Sequence, residues 1–206
     1  MNIEKAIALQ RELSGLVKCV DDPGFNPRFL CGLDVAYETG TAFVAAAVWD
    51  AKFRSIVETA NLVDKVATEY VPGFLGFREG PLLIAITRRI RAKPDAFLID
   101  GQGIAHPRGF GLASHVGVAL EKPSIGVAKS RLYGRVEGDC ITTTDGRIIG
   151  RVLRSEAGKR YYVSVGHKVS LDTALKLVQG CTIEGFVVPL RRAHLESLLL
   201  KRNSGA

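Results

Sequence analysis

The chain has 206 residues, with 28 lysines and arginines against 21 aspartates and glutamates, a net charge of +7 and a sequence pI near 9.4. Apolar residues make up 47%, enough for one sizeable core, while no apolar run approaches the roughly 18 residues of a membrane span and MNIEKAIALQ lacks the pattern of an export signal. A membrane span is therefore excluded, a soluble cytoplasmic chain is expected, and the basic balance favours a polyanionic partner, nucleic acid above all.

Apolar residues recur at helical spacing across IEKAIALQRELSGLVKCV (3–20), with Asn2 placed to cap the first turn. DDPGFNP (21–27) reads as a loop. RFLCGLDVAYE (28–38), AFVAAAVWD (42–50) and SIVETANLV (55–63) read as three strands whose short connections imply an antiparallel meander. TEYVPGFLGFREG (68–80) reads as irregular, and PLLIAITRRIRA (81–92) as an amphipathic helix with proline in its first turn. DAFLID (95–100) is a fourth strand, LASHVGVALE (112–121) a helix and SIGVAK (124–129) a fifth strand. Helix crossovers make the fourth and fifth strands parallel to a neighbour, so an α/β fold is expected, with a central mixed sheet flanked by helices. Beyond residue 130, IIGRVLR and YYVSVG suggest a hairpin, Ser170 caps a further helix, and RRAHLESLLLKR closes the chain with another. No repeat, low-complexity tract or linker divides the sequence, so one domain over 1–206 is expected.

Basic residues cluster in RRIRAK (88–93), KSR (129–131), RVLR (151–154) and RR (191–192), as phosphate-binding patches or as solvated faces. Cys19, Cys31, Cys140 and Cys181 share no metal-finger spacing and suit a reducing compartment.

Three acids stand out. Asp34 interrupts FLCGLDVAY in the interior of the first strand, where aspartate is depleted and its charge is costly to bury without a partner. It is either salt-bridged or edge-facing, or it serves a ligand. Asp100 ends the fourth strand in FLIDGQGIAHPRGFG (97–111), as a turn residue or as a ligand at the strand end, where open α/β sheets gather theirs. Glu79 precedes the expected helix, as a dipole-complementing acid or as a third ligand. Three oxygen donors in a basic protein suggest metal-dependent phosphoester hydrolysis, with a divalent ion acidifying a water and neutralising charge on the phosphate. GQGIAH lacks the third glycine of a dinucleotide loop and carries His106 in its place.

GLDVAY (32–37), YVPGFLGFRE (70–79), FLIDGQGIAHPRGFGLASHVGV (97–118), SIGVAKSRLYG (124–134) and VSVGHKVSL (163–171) together resemble the endonuclease V family, in order and over nearly the whole chain. The resemblance implies a ribonuclease H-like fold and Mg2+, with Mn2+ as a substitute. It implies cleavage at the second phosphodiester bond 3′ to deoxyinosine, leaving 3′-hydroxyl and 5′-phosphate ends. Asp34, Glu79 and Asp100 match the metal-binding acids; Lys129 and His194 match assisting residues, although alone they read equally as a strand-end lysine and a helix-surface histidine. Tyr70, Val71, Pro72 and Gly73 match a wedge inserted at the lesion, and with them Leu75, Gly101, Gly103, His106 and Leu132 are expected to contact substrate. The wedge departs from its family in one place, Glu69 standing where proline is usual. His106 alone could equally be a loop anchor, His115 is expected to be structural, and His167 is given no catalytic role. The expected partner is deoxyinosine-containing DNA, bound by a monomer. Alternative readings are a ribonuclease H-like nuclease acting on inosine-containing RNA or on branched or mismatched DNA, and a non-catalytic nucleic-acid-binding module.

Overall fold

The computed structural model describes residues 2–66 and 68–204. Helix α1 (Ile3–Ser14) is capped by the Asn2 side chain on the Lys5 amide. It stops six residues short of the expected end, because Gly15 closes it and the chain continues through turns, without a regular element, to β1. Strands β1 (Phe29–Glu38), β2 (Thr41–Asp50) and β3 (Ser55–Lys65) form the meander, with Thr39 and Gly40 turning β1 into β2 at positive φ. Then follow α2 (Leu75–Thr87), β4 (Ala96–Ile99), α3 (Leu112–Leu120) and β5 (Ser124–Ala128). Two short strands, β6 (Arg135–Glu137) and β7 (Cys140–Thr142), precede the hairpin β8 (Ile148–Arg154) and β9 (Arg160–His167). Helix α4 (Leu171–Gly180), capped by Ser170, leads through the small ladder β10 (Thr182–Ile183) and β11 (Phe186–Val187) into α5 (Val188–Ser204).

Nine strands form one mixed sheet in the order β3-β2-β1-β4-β5-β9-β8-β7-β6. As the crossovers demand, β4 runs parallel to β1 and β5 parallel to β4. Alternation along the strands separates two cores. Leu30, Leu98, Ile125 and Val163 point to the face covered by α4 and α5; Leu33, Val44, Ile99 and Leu83 meet on the face covered by α2 and α3. Among the described residues, no helix is long and apolar enough to cross a membrane.

Helix α2 differs most from expectation. It starts at Leu75 and holds Pro81 in its interior, so half of the segment read as irregular is helical and Glu79 lies within the helix rather than before it. Burial of Leu82, Leu83 and Ile86 against the sheet outweighs proline's local penalty. The basic run 88–92 falls outside the helix, which ends at Thr87. Strands β6, β7, β10 and β11 are too short to print a period on the sequence.

One glycine sets how closely α5 approaches β1. A Cβ on Gly32 would stand 2.4 Å from the backbone carbonyl of Pro189 in the first turn of α5. Gly32→Ala should therefore push α5 off the sheet and destabilise the fold by about 1–3 kcal/mol, the usual range for overpacking. The midpoint of urea unfolding measures this, and an unchanged midpoint would refute the close packing.

Candidate active site

The parallel register builds the site. Its last registered pair on β1 and β4 is Leu33 with Ile99, so Asp34 and Asp100 stand abreast one residue further on. Strand alternation turns both towards α5, the side of Leu30 and Leu98. Asp34 is 9% exposed, and α5 supplies its partners: Ser197 Oγ donates to Oδ2 at 2.8 Å and His194 Nδ1 lies 3.2 Å from the same oxygen. Asp100 is met by Lys129, the first residue beyond β5, with Nζ 2.5 Å from Oδ2.

Glu79 arrives from the opposite face. Because β4 ends at Ile99, β1 has no registered partner on that side beyond Leu33, and Glu79 on α2 comes near enough for the charges of Asp34 and Asp100 to act on it. Tyr37, three residues after Asp34, donates its hydroxyl to Glu79 Oε1 at 3.0 Å. Burial, reinforced by the negative charges of Asp34 and Asp100, pushes the Glu79 carboxyl up to about 7 against the opposing Tyr37 hydrogen bond. Burial works against the charge of Lys129, but the Asp100 carboxylate, with Asp34 behind it, outweighs that and holds the ammonium above its ordinary pKa.

The three acids thus share one field, yet among the described residues no three His, Cys, Asp or Glu side chains form a ready cage for a metal ion. Each carboxylate is held by its own neighbour, and the expected convergence on a single point is not preformed. The donor chemistry still fits a magnesium-type cation, which needs only hard oxygens and commonly takes one or two carboxylates together with waters and phosphate. Behind burial, the charges of Asp34 and Asp100 add to the upward push on Glu79, and the Lys129 ammonium stands on Asp100 as its counter-ion.

Beside Asp100 lies a cavity of about 280 Å³, lined by Tyr70, Gly73, Leu75, Gly101, His106 and Leu132 from the expected set, and also by Gln10 and Gln102. Val71, Pro72 and Gly103 are not part of its lining. A Cβ on Gly103 would lie 1.9 Å from the Val165 carbonyl, so its missing side chain admits β9. Gly101 keeps its place at the cavity.

His106 ties the glycine loop to the segment 70–73. Its Nδ1 accepts the Arg108 amide at 3.2 Å, which leaves Nε2 to carry the proton and donate to the Gly73 carbonyl at 3.0 Å. Arg108 Nη2 and Gln10 Nε2 donate to the same carbonyl, at 2.6 and 3.1 Å, and Gln10 Oε1 accepts from Arg108 Nε. Gly73 has φ +79°, and a Cβ there would stand 2.9 Å from Arg108 Nη2. Sequence reasoning missed Gln10 and Arg108. Gln10 carried a signal, a polar residue four after buried Ala6 on the apolar face of α1. Ser197 and Tyr37 were also missed, each three residues from a named one. Gln102 donates to the Ser130 carbonyl at 2.8 Å, while its buried Oε1 has no partner among the described residues. His115 packs between Gly76, Gly80 and Phe77 as a spacer of α2 and α3. His167 lies away from the crevice, against Lys18 and Glu121.

Residues 11–195 match the family described as Endonuclease V. An Endonuclease V of Thermus thermophilus is 42% identical over 207 residues, covering 94% of this chain and 91% of its own. The Endonuclease V of Streptomyces avermitilis superposes with a TM-score of 0.90 at 36% identity, over 98% of this chain and 94% of that one. A Ciona intestinalis Endonuclease V in complex with a 24mer DNA containing an inosine followed by a ribo-adenosine gives a TM-score of 0.90 at 26% identity, over 98% of each chain.

His106 yields a pH prediction. Burial, with the Arg108 charge beside it, lowers its pKa from 6.5 to about 4, so the fold holds it neutral. Between those values the unfolded chain takes up a proton that the folded chain refuses, and stability falls as pH falls through that window. His106→Gln should therefore lose less Tm than the unmodified protein between pH 6.5 and pH 4, as followed by circular dichroism. Parallel losses would remove the imidazole from this role.

Proposed function

Because this chain belongs to the endonuclease V family of nucleases, we propose that it is a metal-dependent DNA repair enzyme that cuts the second phosphodiester bond 3′ to deoxyinosine, leaving 3′-hydroxyl and 5′-phosphate ends. The observation that carries this reading is the pairing of Asp34 and Asp100 abreast where β4 ends alongside β1, beside a cavity walled by the glycine loop and the segment 70–75. We read the strand order from β3 through β5 as ribonuclease H-like, and the protein as a single-domain, cytoplasmic monomer.

Asp34, Glu79 and Asp100 would hold Mg2+, or Mn2+ in its place. Such an ion supplies Lewis acidity, neutralising the phosphate and lowering the pKa of a water. The protein's own groups do the rest. His194 and Ser197 fix the Asp34 carboxylate from α5. Lys129, held charged, can exchange its contact with Asp100 for one with the phosphate and balance charge there in the transition state. Tyr70, whose ring is 62% exposed and free of the core, would with Val71 and Pro72 fill the gap left by an extruded base. That base would enter the cavity beside His106. Deamination turns adenine N1 from an acceptor into an N–H donor, and the unpartnered Gln102 Oε1 is an acceptor suited to it.

A second reading, inosine in RNA, draws support from the ribonucleotide in the strand bound by the Ciona relative. Labelled strands with one inosine in DNA or in RNA, incubated with and without Mg2+, separate the two. The DNA strand should be nicked only with the metal; nicking confined to RNA, or absent from both, would overturn the first reading. Asp100→Ala should lower the single-turnover rate by about a hundredfold or more while inosine-strand binding changes little, since it removes a carboxylate that would hold the metal. Gln102→Leu should narrow the preference for inosine over adenosine by roughly tenfold, the scale of one buried hydrogen bond. An unchanged preference would exclude Gln102 as a reader of the base.

A further inference from the structure

A second cavity, about 560 Å³, lies on the α5 side of the sheet, and Asp100 and Lys129 line both cavities. They form the wall between the lesion cavity and a groove that runs away from it between β9 and α5. The groove floor is apolar, made by Val127, Val187 and Leu190, and Leu195 stands at its rim 52% exposed.

The cations along this groove are unusual. Lys159 Nζ lies 2.8 Å from the centroid of the Phe186 ring, and the Arg191 guanidinium carbon lies 3.4 Å from the same centroid. Among the described residues neither Lys159, Arg160 nor Arg191 has a carboxylate partner. Loss of hydration and the charge of Arg191 both depress the Lys159 pKa. Like charges gathered on one ring without a counter-ion form a site that an anion would relieve. The apolar floor beside them suits a ligand that is anionic along one edge and flat and apolar along the other, as a nucleic-acid strand is.

We propose that this groove seats the strand on the 3′ side of the bond cut, with one of its phosphates between Lys159 and Arg191 and the adjoining nucleoside on Val187, Leu190 and Leu195. The proposal rests on the function argued above, and it gives that function a layout. The lesion base sits on one side of the Asp100–Lys129 wall and the departing strand on the other, so recognition and cleavage fall on different nucleotides. Phe186 acts as a positioning residue that holds the two cations.

The test pairs the double variant K159A/R191A with a strand in which the phosphate next 3′ to the scissile one is a neutral methylphosphonate. For the unmodified strand, the double variant should raise KM roughly tenfold and flatten the slope of log affinity against log salt by about 0.7, the effect of one phosphate no longer neutralised. The methylphosphonate should weaken the unmodified protein similarly and the double variant hardly further, since both changes remove one interaction. Fully additive losses, or an unchanged KM and salt slope, would overturn the proposal and leave the groove to an acidic protein segment. Strand affinity by fluorescence anisotropy, without added metal, decides the groove even if no cleavage occurs. Absent cleavage with intact groove binding would count against the nuclease reading alone. Phe186→Leu, which keeps an apolar side chain but removes the ring, should reproduce part of the salt-slope change.

Discussion

The site depends on placing a carboxylate in the interior of a central strand. Asp34 lies between β2 and the end of β4, where water does little for its charge. The fold answers with a helix: α5 brings Ser197 and His194 onto one carboxylate oxygen. It can do so only because Gly32, two residues earlier on the same face, leaves room for the backbone of Pro189. The C-terminal helix is thus part of the site as well as of the core, and the apolar face of β1 is interrupted by glycine and aspartate for linked reasons.

A similar economy governs the other wall. One carbonyl, that of Gly73, receives donors from Gln10 on α1 and from His106 and Arg108 in the glycine loop, segments remote from one another in the chain. The exposed Tyr70 is therefore carried on a short segment whose far end is fixed to α1 and to the glycine loop. A residue meant to enter a base stack needs such anchoring, since a loose loop would lose its advantage to the entropy of ordering.

How much of this could be read in the sequence varied with the kind of signal. The meander, the two parallel crossovers and the Ser170 cap were legible because strand alternation and capping are local. Asp34 was legible as an anomaly, but the anomaly is not specific. Asp50, 2% exposed at the end of β2, is an equally buried strand acid, and it forms a salt bridge with Arg28 that draws its pKa down to about 2. Only tertiary placement separates the two. Glu79 was located, but its reading as a helix-start acid failed because proline at 81 was taken to mark a first turn, whereas packing of the α2 leucines carries the helix back to Leu75. The packing of Gly103 was not legible for a related reason: a glycine's neighbour is set by the fold, and here it is β9. Gln10 and Arg108 act through contacts spanning nearly a hundred residues, which no short pattern encodes.

Strand β4 is four residues long, and Asp100 follows it at once. Side chains alternate faces with every residue, so the orientation of this carboxylate is fixed by counting from Phe97. One residue inserted or deleted between Ala96 and Asp100 would turn it to the α2 side, away from Lys129 and α5, with the hydrophobic composition nearly unchanged. Over evolutionary time this stretch should hold a constant length even where its apolar residues exchange freely, while the exposed turn joining β6 to β7 is free to grow or shrink.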